Sequence, residues 1–303
     1  MGVVDFHSHF FSAAYFRALA ERSPHAGDAG TKLAAAAARA KIELPPDDTS
    51  AHLARWISEL DRHQVEHLCT FASAPEEAPA VLEAAARSQG RLSAFALVDP
   101  HGPDAAAKVR AWLEAGKIRG VLVFPAMHHF HVGGPEARPL LQALSDHGAV
   151  IFVHCGLLVV KLRDLLGLPR TADLAYASPL GVIPAANAFP RVRFVIPHFG
   201  AGLFRETLMA GAQCPNVFVD TSSSNSWRST QSPVPSLAEV FERTLAVLGP
   251  ERILFGTDSN TFPAGWRADR LAEQRDALVA ARASASDRER IFGGNARALL
   301  GLP

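Results

Sequence analysis

Cysteine is scarce in this chain, with three among 303 residues, at positions 69, 155 and 214. They lie far apart and form no CxxC pair. That argues against a disulfide framework and a structural zinc module, and it fits a reducing cytoplasm. Net charge is also missing, because 30 basic residues balance 30 acidic ones. Neither nucleic acid nor an anionic membrane surface gains electrostatic support as a partner. No apolar run approaches the length of a transmembrane helix. The N-terminus enters a strand-like run without a basic n-region and apolar h-region, so no signal peptide is expected. No GxGxxG follows that run, which removes the phosphate-cradling turn of a dinucleotide-binding sheet. There is no internal repeat and no tail of disordered composition.

What is present is a hydrophobic share of 48% against 20% charged residues, ordinary for a globular protein with a large core. The length suits one large barrel or two smaller domains. Eight short runs, β-branched and aromatic-rich, read as buried strands: Val3–His7, His67–Ala72, Leu92–Val98, Ile118–Phe124, Ala149–His154, Val192–Pro197, Asn216–Asp220 and Arg252–Thr257. Between them lie segments of helical spacing, at Glu76–Gln89, Asp104–Ala115, Glu136–His147, Leu203–Ala212, Ser236–Leu248, Ala268–Ala283 and Asp287–Leu300. Strand–helix alternation predicts a parallel sheet with crossover helices. Eight units predict an α/β fold of the (β/α)8 TIM-barrel type over residues 1–303. A doubly wound open sheet is the alternative. The gap from Phe10 to Glu66 holds the alanine-rich run Leu33–Ala40, the breaker Pro45-Pro46 and a second helix near Thr49–His63. It reads as a helical insertion at about 11–65, either a lid or wall over the barrel mouth or a decoration. A second long stretch, Cys155 to Arg191, hangs from the same end.

The chemistry lies at the ends of the strands. Asp5-Phe6-His7-Ser8-His9 closes the first run, His154 the fifth, His198 the sixth and Asp258 the eighth. In a parallel barrel these ends share one face, where active sites sit. His7 and His9 are two apart and share one side of a strand, so both imidazoles reach one ion. His154 adds a third imidazole and Asp258 a hard oxygen. Catalytic zinc takes three or four N/O ligands and keeps a position for water, whose pKa it lowers toward neutrality. A lone histidine at a strand end is usually only a satisfied residue, but that account must hold at four strand ends together.

These positions resemble the amidohydrolase superfamily, in particular its amidohydrolase-2 branch, which includes aminocarboxymuconate semialdehyde decarboxylase. The resemblance runs the whole chain and includes the terminal Ile291-Phe292-Gly293-Gly294-Asn295-Ala296-Arg297-Ala298-Leu299-Leu300. It implies His7, His9, His154 and Asp258 as metal ligands and His198 as the residue that takes and returns a proton. Binuclear relatives carry a modified Lys at the end of strand 4. Here that strand reads Val121-Leu122-Val123-Phe124-Pro125, which implies a single divalent ion, Zn2+ first and Mn2+ second. No other cofactor is implied. Two departures count against the semialdehyde decarboxylase's own substrate. Met209 replaces an Arg eleven residues after His198, with Arg205 the nearest Arg, and Cys155-Gly156-Leu157-Leu158 replaces a Pro-Trp.

Weaker signals surround this set. His128, His129 and His131 follow strand 4, where a polar loop is the simpler account. Arg39, Arg55, Arg163, Arg170 and Arg228 lie in segments that reach the mouth, where one would clamp a carboxylate. Cys155 reads as a small buried residue. Asp220 and Ser222–Ser224 are candidates to hydrogen-bond substrate or ligand imidazoles. By strand parity Asp5 shares the face of His7, inside the barrel below the metal. The expected function is a metal-dependent hydrolase that activates a metal-bound water against a small cyclic or aromatic ester, lactone or amide. His198 and Asp258 manage protons. The alternative is a non-oxidative decarboxylase of an aromatic or muconate-type acid. A catalytically inactive binding barrel ranks third, because the ligand set is intact. The expected partner is a small molecule carrying a carboxylate, without nucleic acid or membrane. The resemblance adds a homodimer, and the sparse, unpaired cysteines point to a cytoplasmic location.

Overall fold

Apolar residues on both faces suit strands that are covered on both sides, as parallel sheets are. In Val150-Ile151-Phe152-Val153 every residue is buried. The computed structural model describes residues 2–222 and 227–302. It contains β1 (Val3–His9), β2 (Val65–Ala72), β3 (Leu92–Leu97), β4 (Gly120–Val123), β5 (Val150–Val153), β6 (Arg193–Ile196), β7 (Val217–Asp220) and β8 (Ile253–Leu254). They pair in sequence order, all parallel. Backbone bonds from Phe6 N–H to Phe255 O (2.8 Å), Asp258 N–H to His7 O (2.9 Å) and His9 N–H to Ser259 O (2.8 Å) join the last strand to the first. The result is a (β/α)8 barrel.

The helices are α1 (Ala13–Glu21), α2 (Ala29–Ala40), α3 (Thr49–Arg62), α4 (Ala78–Arg87), α5 (Ala105–Glu114), α6 (Pro125–His128), α7 (Arg138–His147), α8 (Lys161–Leu165), α9 (Val182–Ala188), α10 (Phe204–Gln213), α11 (Leu237–Leu248), α12 (Ala268–Ala280), α13 (Ala285–Glu289) and α14 (Asn295–Leu300). Local sequence starts several of them. Asp28 accepts from Thr31 N–H at the head of α2, and Ser236 with Glu239 forms a capping box on α11. Trp56, Leu53 and Leu60 of α3 are buried, and α3 lies against β2 and α4 as the other barrel helices do. Between β1 and β2 the extra helices are therefore α1 and α2. Helix α1 is absent from the sequence-based expectation, although Tyr15, Phe16, Leu19 and Ala20 are its buried side. The single closing helix expected over Asp287–Leu300 is divided into α13, a π turn at Arg290–Gly294 and α14. The division coincides with Gly293, where a Cβ would come within 2.7 Å of Gly2 O.

Inside the barrel, Phe152 packs against Phe71, Phe95 and Phe6 at ring-centroid distances of 4.8, 5.2 and 5.4 Å. Val4, Leu122, Val195 and Leu254 belong to the same buried cluster. Simple alternation fails in β1. Its register against β2 shifts between Asp5 and Ser8, so Val4 and Phe6 fill the interior below while His7 and His9 face it above. Asp5 is thereby turned out of the barrel, contrary to its expected place below the metal. Its carboxylate accepts from Trp266 Nε1–H (2.8 Å), His7 N–H (3.0 Å) and Thr257 N–H (3.1 Å). Burial outweighs these bonds and raises its pKa to about 6. Among the described residues no helix is long and apolar enough to cross a membrane. The three cysteines are buried and free.

Candidate metal centre

The strand ends bring His7, His9, His154, His198 and Asp258 to one cavity of about 410 Å3. Asp258 Oδ1 lies 3.2 Å from His9 Nε2 and 3.6 Å from His7 Nε2. The rings of His7 and His198 are 4.8 Å apart, and those of His154 and His198 5.3 Å. Donor atoms of His7, His198 and Asp258 all lie within 4.8 Å of one another. His9 and His154 flank that set. His198, expected as a proton carrier, thus sits as close to the centre as the expected ligands.

Backbone strain helps to aim these groups. His198 (φ 57°), Phe199 (φ 52°) and Asp258 (φ 59°) adopt the left-handed region, which costs non-glycine residues on the order of 1 kcal/mol each or more and recurs at functional sites. Gly256 has a different role. A Cβ there would lie 2.8 Å from His7 Cβ, so only glycine lets β8 run this close behind the histidine.

A surrounding layer sets which ring nitrogen faces the centre. His7 Nδ1–H donates to Asp220 Oδ2 at 2.7 Å, leaving Nε2 as the inward donor atom. His198 Nδ1–H donates to Ser222 O at 3.0 Å, with Ser222 Oγ at 2.8 Å from the same nitrogen. His9 Nδ1 is hydrogen-bonded to Ser73 Oγ at 2.7 Å. Asp220 and Ser222 were named from sequence; Ser223 and Ser224 lie outside the described residues. Ser73 was not named, nor was Glu77, whose two oxygens accept from Ser12 N–H and Ser73 N–H at 2.7 Å each. Glu77 is buried, and burial lifts its pKa to about 8. The signal available for both is a short polar run just after a strand end.

The electrostatics suit a cation. Burial lowers the pKa values of His9, His154 and His198, and the neighbouring His198 and His7 push His154 down further. Burial works against the charged form of His7 too, but Asp220 and then Asp258 outweigh it and raise its pKa. Burial opposes ionisation of Asp258, yet His9, His7 and His198 hold it well below the usual carboxylate range. Asp220 is held low against burial by His7. His154 Nδ1 is buried with no hydrogen-bond partner among the described residues. Largely neutral nitrogens around two ionised buried carboxylates form a donor set that fits one divalent ion. The end of β4 has no lysine, and Leu122 and Phe124 line the cavity there.

The outer cavity is mainly apolar. Phe11, Tyr15, Phe16, Leu19 and Ile42, around α1 and after α2, form one wall, and Leu157, Leu158, Val159, Val160 and Leu162 form another. Of the arginines expected at the mouth, only Arg163 lines this cavity, with Lys161 and Arg22 as further cations. Arg22 is paired with Glu76, Arg55 with Glu43, Arg170 with Asp164 and Arg228 with Glu273. Arg39 is exposed and does not line the cavity. Arg205 is paired with Glu206, Met209 is half exposed and Cys155 is buried. Among the loop histidines, His129 binds Thr171 O and His131 packs on Tyr176, whereas His128 lines the cavity.

A family model described as Amidohydrolase matches residues 4–302. No curated protein matches the chain. Similar solved structures include a probable 2-pyrone-4,6-dicarboxylic acid hydrolase from Acinetobacter baumannii with bound citric acid (15% identity, 99% of this chain and 100% of that one, TM-score 0.64). A second is a 5-carboxyvanillate decarboxylase variant from Novosphingobium aromaticivorans with bound manganese and a nitrobenzoic acid (12%, 99% and 97%, TM-score 0.66). A third is an amidohydrolase from Burkholderia multivorans with bound zinc (17%, 100% and 100%, TM-score 0.63). At these identities the likeness is one of fold.

Proposed function

Because the chain belongs to the amidohydrolase family, we propose that it is a metal-dependent hydrolase of a small cyclic or aromatic ester, lactone or amide. His7, His9, His154 and Asp258 would hold one divalent ion, zinc before manganese. An ion there would supply a Lewis acid that makes water nucleophilic near neutral pH and polarises a carbonyl. His198 takes a proton at Nε2, because its Nδ1–H is tied to Ser222 O, and returns it to the leaving group. Asp258, kept ionised, accepts and holds a proton beside it. Asp220 and Ser73 keep His7 and His9 oriented. The observation that carries this reading is the contact of an ionised Asp258 with the inward Nε2 atoms of His9 and His7.

A second reading, non-oxidative decarboxylation of an aromatic or muconate-type acid, draws support from the apolar walls and from Arg163 and Lys161, which line the same cavity. Arg163 lines the cavity, and the neighbouring Asp164 is already paired with Arg170. In that reaction the bond from ring carbon to carboxylate breaks, CO2 leaves and a proton replaces it on the ring. The 5-carboxyvanillate decarboxylase of the same fold makes this the natural competitor. The test is a panel of lactones and hydroxybenzoates given to zinc- or manganese-reconstituted protein, with CO2 and acid release both recorded. Acid release from a lactone without CO2 supports hydrolysis. Evolution of CO2 with no hydrolytic product replaces it by the second reading, and no turnover of any compound by metal-loaded protein favours a binding barrel.

A further inference from the structure

His9 is the candidate ligand that most needs holding. It is only partly buried, unlike the other four residues of the cluster. It ends β1, whose pairing with β2 stops at His9 and Phe71. Past that pair the two segments are joined by Glu77, at the head of α4 and fully buried. One carboxyl oxygen accepts from Ser12 N–H and the other from Ser73 N–H, at 2.7 Å each. Both bonds bear on His9. Ser73 Oγ lies 2.7 Å from His9 Nδ1, at the edge of the ring. Ser12 ends the turn that leaves β1 and opens α1. In that turn Phe11 is left-handed (φ 44°). Its ring stacks on His9 at 4.9 Å and 22°, and on Tyr15 of α1 at 4.2 Å and 9°. A strained backbone of this kind persists only where its surroundings fix it, and the bond from Ser12 to Glu77 fixes the far end of the turn. The residue type follows. A carboxyl group presents two acceptor oxygens to two N–H donors, whereas a glutamine would turn its own NH2 group toward one of them.

We propose that Glu77 is a positioning residue of the metal centre. It sets the His9 imidazole for zinc at the ring's edge through Ser73, and over the ring's face through the turn that carries Phe11. The same carboxyl group ties the centre to the cavity wall, because Phe11 and Tyr15 line the cavity. This inference rests on the proposed function, which makes His9 a ligand.

Zinc affinity is measured by competition with a chromogenic chelator for wild type, E77Q, E77D, S73A and the E77Q/S73A double variant. Visible spectra are recorded for the same proteins loaded with cobalt. E77D keeps the acid but is one methylene shorter and cannot reach both N–H groups. E77Q and E77D should each bind zinc roughly 10-fold more weakly, the low end for residues behind a metal-bound imidazole. The double variant should lose less than the product of the two single losses, because Glu77 acts in part through Ser73. The cobalt bands of E77Q should shift, which a change in stability alone does not produce. Wild-type zinc affinity and cobalt bands in the folded Glu77 variants, losses that simply multiply, or failure of both Glu77 variants to fold overturns the inference. If wild type binds no zinc, the proposed function fails and this inference fails with it. If wild type binds zinc and the Glu77 variants match it, this inference alone fails.

Discussion

Asp220 Oδ2 accepts the Nδ1 proton of His7 at 2.7 Å, and both side chains are almost completely buried. The pair joins the end of β7 to the end of β1. It fixes the ring's tautomer, raises its basicity and leaves Nε2 pointing at Asp258 and His198. Replacing Asp220 with Asn keeps the shape but removes the charge. Zinc affinity should fall by roughly 10- to 100-fold, as for other carboxylates behind metal-bound imidazoles. Competition with a chromogenic chelator measures this, and unchanged affinity would leave the pair a structural contact only.

The ligand set should hold about one divalent ion per chain. His7→Ala and His9→Ala each remove an imidazole from it, so metal content after dialysis should drop sharply. His129→Ala should retain the ion, because His129 is spent on Thr171 O. Elemental analysis of the three variants beside wild type is the measurement. Two tightly held ions in wild type, or full retention in both HxH variants, would contradict the centre described here.

His198→Ala separates ligand from proton carrier. Its donor atom lies in the compact set with His7 and Asp258, so the geometry allows either role. The proposed mechanism expects metal content near wild type and turnover reduced by about 10²- to 10⁴-fold. Loss of the metal would make His198 a ligand.

Glu77 gives stability a pH dependence whose sign can be worked out. Burial raises its pKa from 4.5 to about 8. Between those values the folded state keeps a proton that the unfolded chain has released. Its contribution to stability is therefore full below about pH 4.5, is lost as pH rises, and is gone above about pH 8. The slope reaches at most about 1.4 kcal/mol per pH unit. Asp5, raised to about 6, acts in the same direction over a lower window. Urea unfolding at pH 6, 7 and 8 should show wild type losing stability more steeply than Glu77→Gln. The amide cannot accept from both Ser12 and Ser73, so the variant should also start less stable. Parallel slopes would mean that Glu77 is already ionised in the folded protein.

Much of this was legible along the chain because buried parallel strands need apolar residues on both faces and chain order matches sheet order. The candidate ligands could be named because each one closes such a run. Parity arguments failed at Asp5, since the β1 register shift depends on pairing with β2 and on the Trp266 and Thr257 donors, more than 250 positions away. Helix α1 was missed because its apolar side chains close over the cavity wall, and a nine-residue segment gives little periodicity to read.

The sequence by itself therefore determined the barrel, the end of it that carries chemistry, and the identity of the five residues gathered there. Tertiary structure alone decided how they are used. Ser73 and Asp220 meet His9 and His7, and Glu77 reaches Ser73, only after strands distant in the chain are brought side by side. A side chain's tautomer and charge follow from what surrounds it, and burial and hydrogen-bond partners come into being only when the chain has closed.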